Sequence, residues 1–377
     1  MRTEIKERAR FVAHSLNGVL PSAVREEIEQ EYLMVAEEQG SRGRSDRRVL
    51  LIGGAGYVGS VIAGQLLKSG YLVRCMDLLL YRNDVCVLPL LLHPRYEFFY
   101  GDHCDPSAVN AALTDVTDVI ILSGLVGDPI TKKYPDASTA INDRGMSALI
   151  SCFNGKGLNR VVFVSTCSNY GLILDDVLAD ESFELKPLSL YAKAKVAVET
   201  TLLGSRGKVD YSPTVLRFST AFGLSSRMRF DLTVNEFTRA MYLKQNLVVY
   251  DAHTWRPYCH TKDFGNAVRR VLEIGRSRIA FEVFNVGREE NNCTKQSIVD
   301  TINKHLPDAP VAYKDHGTDP RNYRVDFRKI REGLLFVPEY TVDDGVAEIL
   351  GAMKNHLFDR VDENLPFYGN YEITYNG

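Results

Sequence analysis

Short, continuous apolar runs alternate with amphipathic stretches from Arg47 onward. RRVLLIGG (47–54) ends in glycines, and a helical pattern follows over 58–69. Further apolar runs are YLVRCMD (71–77), YEFFYGD (96–102), DVIILSG (118–124), RVVFVST (160–166) and SPTVLRFS (212–219), with helical stretches between most of them. Uninterrupted apolar strands alternating with helices predict a parallel sheet covered on both faces, a doubly wound α/β fold. The regularity weakens after about residue 220, where FEVFNVG (281–287) reads as a strand and helices are expected near 294–305 and 343–356. Residues 1–46 differ: they are charged and read as helical over about 3–16 and 22–38, with Pro21 between, before the linker-like run GSRGRSDRR (40–48). There is no internal repeat and no low-complexity tract.

Composition narrows the class. The chain has 377 residues, of which 45% are hydrophobic and 25% charged, an ordinary globular balance. A net charge of −3 without a long basic run gives no reason to expect nucleic acid as a partner. The seven cysteines are scattered, without a CxxC pair or a Cys/His cluster at zinc spacing, so no metal is expected and the thiols read as reduced. No apolar run reaches the ~18 residues of a membrane span. The N-terminus lacks a signal-peptide core, and the expectation is a cytoplasmic protein.

GGAGYVG lies directly between the first strand and the first helix. Glycines here permit a tight turn and a close backbone approach to a pyrophosphate, and the helix N-terminus adds partial positive charge. The strand–turn–helix context assigns Gly53, Gly56, Tyr57, Val58 and Gly59 to a dinucleotide and makes the fold Rossmann-type. Asp77, at the end of the second strand, can accept hydrogen bonds from the adenosine ribose and would repel a 2′-phosphate, which favours NAD over NADP. Arg74 and Arg82 flank that strand and soften the preference. Asp102 ends the third strand and reads equally as an adenine contact or as a strand-end cap.

The fifth strand runs into Ser165-Thr166-Cys167-Ser168-Asn169-Tyr170-Gly171, and YAKAK (191–195) opens the next helix. Ligands of open parallel sheets lie beyond the strand carboxyl ends. Tyr191 and Lys195 are four apart and share a helix face. A phenol near pKa 10 is expected to be lowered by an ammonium and a positive nicotinamide ring, so that Tyr191 could take a proton from a sugar hydroxyl while Thr166 holds the same oxygen. Lys195 would also bind the nicotinamide ribose.

GGAGYVG, GDHCD, NDRG (142–145), STCSNYG and YAKAK together resemble the extended short-chain dehydrogenase/reductase family, in its NAD-dependent sugar-nucleotide epimerase/dehydratase branch, over about residues 48–350. The resemblance implies a catalytic set of Asn142, Thr166, Tyr191 and Lys195, with Asn142 supporting the lysine through a helix bend and water. It implies an organisation of 1–46 as extension and linker, 47–222 as the NAD-binding domain with returns around 255–287, and 223–377 as mainly a smaller α/β substrate-binding domain. Cys167 and Ser168 stand where sugar 4,6-dehydratases carry Asp-Glu, which ranks dehydration low. Cys167 reads first as a small neutral filler of the substrate pocket, with a thiol acid/base as the alternative.

The resemblance also implies substrate contacts in the later segments. WRPYCHTKD offers Arg256 for a diphosphate, with His260 and Asp263 structural; DPRNYRVDFRKI offers Arg321 and Arg324; LSSRMRFDLTVN offers Arg227, Arg229 and Asn235. Arginine suits phosphate because its planar fork binds two oxygens. Asn292 and Lys295 read as loop residues. The expected function is a nucleotide-sugar epimerase; a nucleotide-sugar 4-ketoreductase using NAD(P)H is the alternative, with a dehydratase or a non-catalytic cofactor-binding regulator behind it. A homodimer is also expected from the resemblance.

Overall fold

The computed structural model of the chain describes residues 44–173, 177–315, 319 and 321–375, so the two helical stretches expected before residue 40 lie outside the described residues. The centre is a seven-stranded sheet of β1 (Arg48–Ile52), β2 (Leu72–Asp77), β3 (Tyr96–Tyr100), β4 (Asp118–Ile121), β5 (Arg160–Thr166), β6 (Ser212–Phe218) and β7 (Glu282–Val286), in the spatial order β7-β6-β5-β4-β1-β2-β3. Every adjacent pair is parallel. The strand order reverses at β1 and β4, which opens a crevice beyond their carboxyl ends.

The strands are apolar throughout because both faces are covered. Val49, Leu51, Val73 and Ile120 belong to the core on one face, and Leu50, Ile52, Val119 and Ile121 to the core on the other. Three helices matter for the site: α1 (Tyr57–Lys68) leaves the glycine turn, α2 (Leu190–Leu203) carries YAKAK, and α3 (Thr261–Glu273) returns from the C-terminal half. α3 lies against α1, where Gly265 leaves room for Gln65, whose Nε2 donates to the Lys262 carbonyl at 3.0 Å.

The C-terminal half has its own core of Phe222, Tyr258, Ile298 and Val346. It is built on a mixed sheet of Thr220–Phe222, Trp255–His260 and Asn292–Thr294, a parallel pair of Leu247–Tyr250 and Val311–Lys314, and the helices Thr233–Tyr242, Lys295–Asn303 and Val342–Lys354. Asp263 accepts the Glu339 and Tyr340 amides at 2.9 and 3.0 Å, and His260 meets Glu348 at 2.9 Å, so both do structural work in joining the last helix to α3. Among the described residues no helix is long and apolar enough to cross a membrane.

The run 40–48, expected to be a linker, is not solvated at its end. Arg44–Asp46 form one 3-10 turn, and Arg47 is buried. Its Nε and one terminal nitrogen donate to Asp118 at 3.0 and 2.6 Å, and the other donates to the Leu272 carbonyl at 2.6 Å. Arg160 also donates to the Leu272 carbonyl, and to that of Ile274 at 2.6 Å. Three strand starts are thereby fastened to the end of α3. Removing one member of a buried pair leaves an uncompensated charge that costs about 3–5 kcal/mol. Arg47→Met is therefore expected to lower unfolding stability by that amount in a urea titration, with part of it recovered in the Arg47→Met/Asp118→Asn double variant.

Candidate active site

The glycine turn shows directly why its positions are glycine. Gly53 has φ +85°, and a Cβ on it would meet the Ser123 backbone nitrogen at 2.6 Å. A Cβ on Gly59 would meet the Gly53 carbonyl at 2.5 Å. Asp77 stands beside this turn: its two oxygens accept the Ala55 amide at 3.0 Å and the Leu79 amide at 2.8 Å. Burial raises its carboxyl, and those two amides oppose the shift. Asn83 Nδ2 donates to the Ala55 carbonyl at 2.7 Å and closes the turn from the other side.

At the opposite end of the crevice, β5 delivers Thr166 and the 3-10 turn Cys167–Tyr170. α2 begins at Ser189, whose hydroxyl accepts the Ala192 amide at 3.2 Å as an N-cap. Tyr191 and Lys195 follow on the face turned to β5, and Lys195 Nζ donates to the Val164 carbonyl at 2.8 Å. Burial lowers Lys195 to about 8, and Glu199 one turn further on partly restores it. The Tyr191 phenol is pushed up, not down: burial and Asp128 raise it, while Arg229, the Thr166 hydroxyl and Arg321 pull it back. The Lys195 ammonium lies over the ring, 5.9 Å from its centroid, and donates to Val164.

One cavity of about 530 Å³ joins these two ends. Of the residues expected at the site, Gly53, Gly56, Tyr57, Val58, Gly59, Asp77, Asp102, Thr166, Ser168, Tyr191 and Lys195 line it, as do Arg227, Arg229, Arg256 and Arg321. Four do not. Asn142 sits in a π-helical turn, Thr139–Gly145, and its side chain exchanges two hydrogen bonds with Leu125, at 2.7 and 3.0 Å. Asn235 is fully buried behind the wall, bonded to Tyr57, Gly223 and the Arg229 carbonyl. Arg324 lies over Trp255. Cys167 turns its thiol into the core, where it donates to the Arg217 carbonyl at 3.2 Å and burial pushes it up to about 12, which removes the acid/base alternative.

The wall also contains residues that sequence reasoning passed over, Asp319 and Asp128 beside the expected Arg321 among them. Arg321 forks onto Asp319 at 2.8 and 2.7 Å, reaches Asp128 at 3.0 Å and donates to the Ser168 hydroxyl at 3.2 Å. Burial would raise the Asp319 carboxyl, but Arg321 and Arg256 hold it well below the usual range. Lys295, read as a loop residue, lines the cavity with them. Asn370, Tyr371 and Tyr375 reach it from the end of the chain. Asp319 was legible in DPRNYR as the natural partner of its arginines; nothing local marks the C-terminal residues.

A dinucleotide fits these walls. Tyr81 Oη, Asn83 Oδ1 and Ser123 Oγ are buried at the glycine end without a partner among the described residues. Such atoms cost stability unless a polar ligand completes them. Asp102, His103 and Cys104 hold three ligand-type atoms within 4.8 Å, but Asp102 already accepts the Cys104 amide and the Tyr375 hydroxyl, and His103 meets the Ile141 carbonyl.

Glu199 and Arg217 stand directly behind the reactive pair, with Oε2 2.7 Å from the guanidinium. Lys195, at about 8, is charged below that pH and neutral above it. Glu199→Gln removes the group that raises it. The lysine titration, read by NMR of 13C-lysine-labelled protein, is expected to move to lower pH, and any activity that needs the ammonium should lose its alkaline limb at lower pH too.

Residues 49–287 match the model of the NAD dependent epimerase/dehydratase family. A UDP-glucose 4-epimerase of Streptococcus mutans is 30% identical over 331 residues, 81% of this chain and 95% of that protein. A dTDP-glucose 4,6-dehydratase of Streptomyces niveus is 27% identical over 321 residues, 80% of this chain and 91% of the relative. Among solved structures, the UDP-glucuronic acid 4-epimerase of Bacillus cereus with UDP-glucuronic acid and NAD superposes with a TM-score of 0.74 at 21% identity, covering 82% of this chain and 99% of the other. That likeness speaks for the fold.

Proposed function

The chain belongs to the NAD-dependent epimerase/dehydratase family, and from that premise we propose that it is a nucleotide-sugar epimerase working by transient oxidation of a ring hydroxyl. Bound NAD supplies the chemistry of accepting two electrons from a sugar carbon and giving them back.

The chain's own residues supply the rest. Tyr191 receives the hydroxyl proton and later returns it, and Thr166 holds the same oxygen. Cations near the phenol oppose the burial that raises it, and the oxidised nicotinamide adds to them. Lys195, fixed on Val164, holds its charge beside the tyrosine ring. Asn142 acts at one remove: its bonds to Leu125 fasten the π-helical turn against the loop after β4. At the other end Arg256, Arg321 and Lys295 face the nucleotide diphosphate, and Asp128 Oδ1, buried and without a partner among the described residues, is an acceptor for a substrate hydroxyl.

The observation that carries the choice is the pair of side chains after Thr166. Water elimination needs a proton donor and a base beside the ketone. Here Cys167 is turned into the core, and only the Ser168 hydroxyl, already engaged by Arg321, meets the cavity. Oxidation and re-reduction need only the Thr166–Tyr191–Lys195 set. The buried Asp77 beside the ribose end favours NAD, which an enzyme that recycles its electrons within one site can use.

Heat-denatured, freshly purified protein is expected to release NAD in near-stoichiometric amount, and to interconvert a nucleotide sugar and its epimer with no cofactor added. Tyr191→Phe should lower kcat by about 10²–10⁴, the usual worth of a positioned acid/base. Protein that purifies empty, prefers NADPH and reduces a 4-keto sugar would overturn the epimerase in favour of a reductase.

A further inference from the structure

A strap of the last described residues forms part of the cavity wall. The strap begins where the Phe230 amide donates to the Tyr368 carbonyl at 2.7 Å. Arg227 then donates to the Gly369 carbonyl at 3.0 Å and to Asn370 Oδ1 at 2.8 Å, and the Asn370 amide donates to Asp231 at 3.2 Å. These contacts belong to the substrate-side loop. The next ones belong to the nucleotide domain: Asn370 Nδ2 donates to the Val126 carbonyl at 2.8 Å, Lys133 reaches the Tyr371 carbonyl and Glu372 at 3.2 Å, and the Tyr375 hydroxyl donates to Asp102 Oδ2 at 2.9 Å.

Two independent features tie this segment to a ligand. Asn370, Tyr371 and Tyr375 line the same cavity as Gly53, Asp77 and Asp102. Arg227, which grips the strap, is buried on that wall with its guanidinium 4.4 Å over the Tyr81 ring and its Nε without an acceptor among the described residues. A buried guanidinium that burial and Arg229 lower to about 10 is short of negative charge. The sequence suggested Arg227 for the sugar nucleotide; its neighbours Tyr81 and Asp77 place it at the cofactor's end instead.

We infer that residues 369–375 are part of the dinucleotide site: a wall supplied by the far end of the chain, latched by Asn370 and Tyr375, that holds the bound cofactor and limits its exchange. The inference rests on the family's cofactor and not on the choice of sugar chemistry. The latches are polar and few, and the segment between them has little buried apolar surface, so it can open without unfolding either core. A dinucleotide completes Arg227 and lies under Tyr371 and Tyr375. Its release then requires the Tyr375–Asp102 and Asn370–Val126 bonds to break first.

The test uses full-length protein loaded with NADH and chased with excess NAD, with release read from NADH fluorescence. Tyr375→Phe is expected to speed release about tenfold, equivalent to about 1.4 kcal/mol. Asn370→Ala should do at least as much, and truncation after Tyr368 more than either. Asn370→Ala also deprives Arg227 of an acceptor and can fail to fold, so Tyr375→Phe, which removes one hydroxyl, is the deciding variant. Hydrogen exchange gives a second reading: amides of 371–375 should gain protection when NAD is added. Release from Tyr375→Phe within twofold of the wild type, slower release, or no gain in protection would each overturn the inference. All of these readings are blind to sugar turnover, so failure of the epimerase reading would be seen separately.

Discussion

The site depends on one buried ion pair. Glu199 and Arg217 are 2% and 4% exposed, and neither touches the cavity. Arg217 on β6 donates to Glu199 at 2.7 and 3.1 Å, and Glu199 also accepts Asn169 Nδ2 at 2.7 Å and the Ser165 hydroxyl. Arg217 donates on to Tyr170 at 3.0 Å, and Tyr170 to Asn285 at 2.8 Å. In this way α2, the end of β5, the 3-10 turn, β6 and β7 are all bonded to one pair of charges. A buried pair is weak evidence for stability, since two apolar residues of the same volume would often do as well. Its worth here is positional. Tyr191 and Lys195 come from one element and Thr166 from another, and a 1 Å error between them would ruin the proton transfer. The pair fixes α2 against β5 one and two turns away from the reacting groups, where it cannot interfere with them.

That arrangement explains the electrostatics of the site. Low-dielectric surroundings favour the neutral form of both reactive groups, so the phenol goes up and the ammonium comes down. The two shifts have one cause and opposite signs. A resting site with a neutral phenol does not deprotonate adventitiously. In the proposed reaction the phenolate would become accessible when positive charge arrives beside it, and the oxidised nicotinamide would be that charge. In the proposed reaction, proton transfer and cofactor redox state would therefore be coupled by burial itself.

The sequence announced the nucleotide half with good resolution. Strand and helix boundaries came within a few residues, because uninterrupted apolar runs and glycine turns are local signals. Thr166, Tyr191 and Lys195 were legible for the same reason: strand end and helix start each carry their residues within a few positions. The failures have a common origin. Asn235 and Cys167 have the right residue type and place in the chain, but their side chains rotate into the core to satisfy Tyr57 and the Arg217 carbonyl. Pattern assigns a residue to an element and says little about which partner wins it. Arg47 was read as linker because arginines in a polar run look solvated; only the distant Asp118 shows otherwise. Asn370 and Tyr375 sit in a short polar tail, where neither period nor composition carries a signal.

The sugar-nucleotide end follows a different logic from the reacting end. Arg256 and Arg321 are not waiting open-handed for phosphate: Asp319 holds both, at 3.0 and 2.7 Å, and Asp128 holds Arg321 again. With Lys295, three cations face two carboxylates, and one net positive charge is left over. Arg256 is buried and Arg321 and Lys295 are half-buried, and burial with Arg256 lowers the Lys295 ammonium. The carboxylates hold the arginines in place. On the proposed nucleotide-sugar reading a diphosphate would have to displace Asp319, so binding would be an exchange of anions and not a simple addition. On that reading its net strength would be modest, because one ion pair is given up for another, and its geometric demand high, because only an anion that spans both guanidiniums recovers what Asp319 provided. Selection for two linked phosphates over one would follow from that demand, with the sugar beyond them, toward Ser168, Thr166 and Tyr191.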